Sequence, residues 1–204
     1  MVVKFMDVDT EKITANEYKK HLLIKYEDKP LFIQSNWDKL THYGVPKNDK
    51  FHTTEESRRF IQIPLVENEP FSSNFIKYLD EYFSSDKFKT KYLIEKQQKF
   101  KYIPILKEGK DSYPDSIKLK IIVDDKDNIV SEFFHSTEDG VLPKFVGNMD
   151  EIKKVVPYMS EFRFVFKVQK IWFMSQTYGV KLQLMKAQIK PPEKSNVDMD
   201  FLDM

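Results

Sequence analysis

Between Glu161 and Ile189 the chain reads "EFRFVFKVQKIWFM", then "SQTYG", then a return over Gly179–Ile189, "GVKLQLMKAQI". Phe162, Phe164, Phe166 and Val168 occupy every second position, the period of a strand with one buried face. The apolar series then changes parity, to Ile171 and Phe173. The return does the same: Val180, Leu182 and Leu184 give way to Met185, Ala187 and Ile189. A one-residue bulge restores the apolar face after such a slip, and bulges let long strands bend in small barrels. This part of the chain is expected to be a long, bent antiparallel hairpin. Its first strand carries Arg163, Lys167 and Lys170 between the rings, where an ordinary core strand would exclude charge.

The rest of the pattern agrees with a β-rich domain. "PLFIQSN" predicts a first strand with Leu31 and Ile33 on one face and Phe32 and Gln34 on the other. "SRRFIQIPLV" (Ser57–Val66) predicts a second, with Pro64 marking an edge or an end. "KFKYIPIL" and "SIKLKIIV" predict two more, and "DDKDN" a turn that joins the latter to "IVSEFFH" as a hairpin. Helical spacing appears in Phe71, Phe75, Tyr78, Leu79 and Tyr82, one apolar stripe that suits packing on a sheet. "KFKTKYLIEKQQ" reads as a loop or loose helix. "GNMDEIKKVVPY" reads as a short helix, with Asn148 as N-cap, Glu151 as its capping-box partner and Pro157 as the stop. Residues 1–29 read as an N-terminal extension with a short helix at "ANEYKKHLLIKY". Residues 30–190 form the domain, and residues 191–204 an acidic flexible tail. The expected fold class is mainly β with inserted helices (α+β), an OB-fold-like, partly open antiparallel β-barrel.

Composition narrows the function. The 204 residues contain no cysteine, which removes thiolate metal sites, disulfides and Cys nucleophiles. Only five glycines argue against Gly-rich nucleotide-binding motifs, and there is no GxxxxGK[ST]. His21, His42, His52 and His135 lack ligand spacing. "TEDG" lacks the lysine of a nucleotidyltransferase KxDG, and Asp124, Asp125 and Asp127 suit a turn. No enzyme, metal or cofactor is therefore expected. No apolar run approaches the roughly 20 residues of a membrane span, and the N-terminus is too short and acidic for a signal peptide, so a soluble intracellular protein is expected.

Net charge is only +1, but it is unevenly distributed. Lys87 to Lys120 holds ten Lys against four acids, and Glu161 to Lys190 holds five Lys and one Arg against one acid. Single-stranded nucleic acid is held by cations on phosphates and by rings on which bases lie. A strand can serve both needs, since alternate residues emerge on one face. The candidate cations are Arg58, Arg59, Lys99, Lys101, Lys118, Lys120, Arg163, Lys167 and Lys170. The candidate rings are Trp37, Tyr102, Trp172, Phe173 and Tyr178. Any one such strand also describes a solvated outer face; four of them in one domain describe a groove. In the tail, "DMDFLDM" sets Phe201 and Leu202 among acids, a segment suited to docking on a partner protein or occupying the groove.

Four blocks, in order, carry a family resemblance: "PLFIQSN…HYGVPK", "RRFIQIPLV…FIKYLDEYF", "YIPILK…DSIKLKIIVDDKDNIVSEFF" and "KVQKIWFMSQTYGVKLQLMKAQI". Together they resemble the single-stranded-DNA-binding proteins of nucleocytoplasmic large DNA viruses over residues 30–190. The resemblance implies an OB-fold, sequence-independent binding of single-stranded DNA, and a role in viral DNA replication, recombination or repair in the host cytoplasm or nucleus. It implies replication proteins as tail partners and site positions at Gln34, Lys118, Lys120 and Trp172, with Gly179 shaping the turn. RNA remains open as the polymer, because no residue pattern reads a 2′-hydroxyl, and so does oligomer formation. The rival reading is a structural or interaction protein, a virion or assembly factor that recruits partners through its tail.

Overall fold

A computed structural model describes residues 2–65, 71 and 73–192. The chain opens with β1 (Val2–Lys4), β2 (Ile13–Tyr18), β3 (His21–Tyr26), β4 (Lys29–Gln34) and the short β5 (Asp38–Lys39). A long loop leads to α1 (Glu55–Arg58) and β6 (Phe60–Pro64), then to three helices, α2 (Ser73–Ser84), α3 (Asp86–Tyr92) and α4 (Glu95–Gln98). There follow β7 (Lys101–Ile103), β8 (Ser116–Ile121), β9 (Glu132–Thr137), β10 (Gly140–Lys144), α5 (Met149–Val155) and the long pair β11 (Glu161–Met174) and β12 (Thr177–Lys190).

All twelve strands join one sheet, ordered β1-β4-β3-β11-β12-β8-β6, with β2 beside β3, β5 beside β11, β7 and β9 beside β12, and β10 beside β9. The sheet curls strongly into a half-barrel, so the fold is mainly β with inserted helices. The hairpin β11–β12 is its spine. Its register shifts between Val165 and Phe166 and again between Val168 and Lys170, leaving Met185 and Gln169 as the extra residues. These slips keep Phe162, Phe164, Phe166, Val168 and Ile171 buried on one side, as the parity change requires. Alongside its antiparallel ladders, β12 pairs in parallel with β7, β8 and β9, and β1 pairs in parallel with β4. Parallel neighbours need crossover connections; α5 lies within those that lead from β7, β8 and β9 to β12, while α2 to α4 link β6 to β7.

The core fills the inner side of the curl. Helix α2 lays Phe75, Ile76, Leu79 and Phe83 against it. Phe71 meets Phe164 edge-on, with ring centroids 5.4 Å apart. Tyr78, expected in the same stripe, is instead 41% exposed, because the buried arc runs through Phe83 rather than through Tyr78. Asn148 caps α5 as expected, its side chain accepting from the Glu151 N–H at 2.9 Å while its amide donates to Glu151 at 3.1 Å.

Three local expectations are corrected. "ANEYKKHLLIKY" is not a helix: β2 and β3 pair as a tight hairpin, with Lys19 at φ 56° in the turn. Residues 1–29 thus contribute three strands to the same sheet, and Ile13 and Ile24 join its core. Residues Ser57 to Val66 begin as the end of α1, where Thr54 makes a capping box with Ser57, and only then extend; Val66 lies outside the described residues. The segment after "DDKDN" forms no ladder with β8; an isolated bridge, Val123 with Ile129, closes the turn just past the end of β8. It becomes β9, which runs beside β12 and turns at "TEDG" into β10.

Candidate nucleic-acid interface

The side of the sheet opposite the core is built by the residues that alternate with the buried ones. On β11 these are Arg163, Val165 and Lys167, then Lys170 and Trp172 after the bulge; on β12 they include Lys181, Gln183, Lys186 and Gln188. Registers align them across strands. One row runs Phe32 (β4), Lys167 (β11), Gln183 (β12), Lys120 (β8), Phe60 (β6). Five strands spaced about 4.8 Å apart make this row roughly 19 Å long. A second row pairs Lys170 with Lys181, and a third sets Trp172, Gly179 and Ile103 side by side.

Half-exposed rings sit among the cations. The Arg163 guanidinium carbon lies 5.0 Å from the centre of the Trp37 ring, and Lys190 Nζ lies 4.2 Å from it. Lys167 is 5.8 Å from Phe32, Lys186 5.8 Å from Phe134, and Lys118 4.4 Å from Phe60. Such contacts hold a ring face and a charge side by side on a surface. Trp172 closely approaches Gly179: a Cβ built there would stand 2.6 Å from Trp172 Cζ2. The glycine is thus required by close approach, and it seats the indole.

Part of the charge on this face is left uncompensated. Lys186 pairs with Glu132 at 2.7 Å and Lys190 with Glu161 at 3.3 Å. Among the described residues Lys120, Lys167, Lys170 and Lys181 have no ion pair. Burial, then the charges of Lys120 and Lys170, lowers the pKa of Lys181. Burial, then Lys170, Lys19 and Lys181, lowers that of His21 at the adjoining end of β3. Like charges held together without a counter-ion are the arrangement a polyanion relieves. Beside Arg163 and Val165, under the Phe134 and Val141 side chains of the β9–β10 hairpin, opens a recess of about 280 Å³ with Gln34 on its wall. Gln34's amide makes no hydrogen bond among the described residues.

The expected residues divide accordingly. Gln34, Trp37, Lys118, Lys120, Arg163, Lys167, Lys170 and Trp172 share the outer face, and Lys101 lies at its end, in register with Thr177. Lys99 is exposed but caps α4 instead of extending β7. Five expectations are corrected. Arg58 is only 3% exposed, donating to the Asp150 carboxylate and to the Pro46 carbonyl at 3.1 Å, and so clamps α1 to α5. Arg59 ends α1 and pairs with Asp127 at 3.0 Å. Tyr178 is fully buried and donates to the Phe83 carbonyl at 2.9 Å, leaving no ring face free to stack. Tyr102 packs on it and donates to Asp80 at 2.6 Å; burial first, then Asp80, raises its pKa. Phe173 follows the inner parity and packs against Phe100 and Tyr178. Phe201 and Leu202 lie outside the described residues.

Sequence reasoning missed Phe32, Phe60, Phe134, Lys181 and Lys186. The parity of the return strand carried the signal for Lys181, which alternates with Leu182; Phe60 and Phe134 depend on which strands become neighbours.

No family model matches the chain. An alignment 121 positions long, which covers 50% of the chain, is 28% identical to an uncharacterized protein of Acanthamoeba polyphaga mimivirus and spans 30% of that relative's length. Among solved structures, a C-terminally truncated single-stranded DNA-binding protein from bacteriophage Enc34 aligns with a TM-score of 0.48 at 11% identity, over 91% of this chain and 99% of that one. The protein from the same phage without that truncation in its description aligns at 0.43 and 12%, over 92% and 96%. These identities and coverages do not assign the chain to a family.

Proposed function

We propose that the outer face of the half-barrel binds single-stranded DNA without sequence preference. The observation that carries this reading is the row from Phe32 through Lys167, Gln183 and Lys120 to Phe60, flanked by Lys170 and Lys181. It interleaves unpaired cations with half-exposed rings on one continuous surface. The lysines neutralise phosphates and release counter-ions, which gives affinity for any sequence. The rings, with Trp37 and Trp172, offer faces to unstacked bases, each well-placed stack being worth about 1–3 kcal/mol. The block resemblance extends the reading to coating of single-stranded DNA during viral replication, recombination or repair, with replication proteins recruited through Phe201 and Leu202. A fluorescence-quenching titration with poly-dT at about 50 and 200 mM salt tests the reading: binding should be tight at the lower salt and fall steeply at the higher. Absence of binding at low salt refutes it.

A further inference from the structure

At the edge of this face, where the loop between β5 and α1 folds along β6, lies a cleft of about 660 Å³ that shares Phe60 with the first row and extends beyond it. That volume is within the range of small-molecule sites. Its loop is fixed in place: Gly44 and Gln62 exchange backbone hydrogen bonds of 2.8 and 3.0 Å, and the Pro46 carbonyl accepts from Arg58. Four lysines line it, Lys47, Lys107, Lys118 and Lys153. None has an ion pair among the described residues. One carboxylate lines it, Asp49, and its Oδ1 already accepts from the N–H groups of Phe51 and His52 at 2.8 and 3.0 Å. The walls also carry Phe60, which Lys118 covers at 4.4 Å, and Tyr158, 66% exposed. Burial, then the charge of Lys107, lowers the pKa of Lys118, so the two ammonium groups are close enough to repel.

We propose that this cleft binds a phosphate-bearing nucleotide unit, its phosphate between Lys107, Lys118 and Lys153 and its base against Phe60 or Tyr158. The cations favour an anion, and the ring walls favour one that carries a planar apolar group. A free mononucleotide and one residue of a longer strand share this chemistry. Lys118 and Phe60 belong to both surfaces, which makes the cleft continuous with the sheet face; Lys107, Lys153 and Tyr158 belong to the cleft alone, and the test below alters only Lys107 and Lys153.

The test compares the wild-type protein with Lys107→Gln/Lys153→Gln, folding being checked by thermal denaturation. The ligands are thymidine 5′-monophosphate, thymidine, and oligodeoxythymidylates of about 8 and 24 nucleotides, lengths chosen around typical single-strand site sizes. A free-nucleotide site binds the monophosphate in preference to thymidine and loses roughly tenfold in the double variant. A strand-end subsite shows no monophosphate binding, and the variant weakens the longer oligonucleotide roughly tenfold while sparing the shorter. The proposal is overturned if the variant binds the monophosphate and both oligonucleotides as the wild type does, or if the wild type binds none of them. Failure of the wild type to bind oligonucleotides while it still binds the monophosphate refutes only the sheet-face reading.

Discussion

Gly179→Ala tests whether Trp172 is seated by the backbone beneath it. The added Cβ would stand 2.6 Å from Cζ2 and 2.9 Å from Cε2 of the indole, and 3.1 Å from the Ile103 carbonyl oxygen. Carbon atoms pack at about 3.5–4.0 Å, so the ring must retreat by about 1 Å or the β7–β12 ladder must open. Neither neighbour is the free end of a flexible chain. Overpacking of this kind costs about 1–3 kcal/mol, against about 0.5–1 kcal/mol gained from replacing a strand glycine. A net loss of about 1 kcal/mol lowers the melting temperature by about 2–4 °C in a chain of this size. Thermal denaturation and tryptophan emission should report the loss together with a shifted indole environment. Affinity for oligodeoxythymidylate should also fall about fivefold or more, the equivalent of one weakened stack. In the double variant Gly179→Ala/Trp172→Ala stability should recover while affinity stays low. An unchanged melting temperature with unchanged emission refutes the seating argument; lowered stability with full affinity refutes Trp172's role as a platform.

The remaining expectations concern single groups. Trp37→Ala removes the ring that Arg163 and Lys190 flank and should weaken oligonucleotide binding by about 1–3 kcal/mol with little change in salt slope, as measured by titration. Arg58→Met leaves the Pro46 carbonyl without its donor and should destabilise the fold by about 1–3 kcal/mol in urea denaturation while leaving affinity for an oligodeoxythymidylate of about 8 nucleotides unchanged, because this arginine is not on the face. His21 is held below its ordinary pKa by burial and by Lys170, Lys19 and Lys181. Phosphate bound there offsets those charges and raises the pKa, so the complex takes up a proton. Affinity should therefore rise as pH falls from about 7.5 to 5.5, a trend that His21→Gln should flatten in the same titration.

The local pattern fixed the spine of the fold and left its assembly open. Parity alone located both bulges in β11 and β12, because burial on one face constrains register strictly. It also separated Lys118 and Lys120 from Ile117 and Leu119. It misread "ANEYKKHLLIKY", where a two-residue turn at Lys19 and Lys20 holds no glycine or proline to announce a hairpin. It read Arg58 as a surface cation because the partner that buries it, Asp150, lies 92 residues away in sequence. Tyr102 and Tyr178 looked like platforms for the same reason: their buried acceptors, Asp80 and the Phe83 carbonyl, belong to α2. Rows such as Phe32–Lys167–Gln183–Lys120–Phe60 depend on non-consecutive strand neighbours, including the parallel pairing of β8 with β12, which no local pattern encodes.

The most direct test sets two charge reversals of equal size against each other. Lys170→Glu/Lys181→Glu alters the centre of the outer face, while Lys77→Glu/Lys96→Glu changes net charge identically on exposed positions of α2 and α4. Binding of oligodeoxythymidylate is followed over about 50–200 mM salt, where each lost phosphate contact lowers the slope of log affinity against log salt by about 0.7. The first pair should weaken binding strongly and reduce that slope by about 1.4, and the second should leave both near the wild-type values. Equal effects from the two pairs would show that total charge, and not this face, governs binding, and would contradict the account.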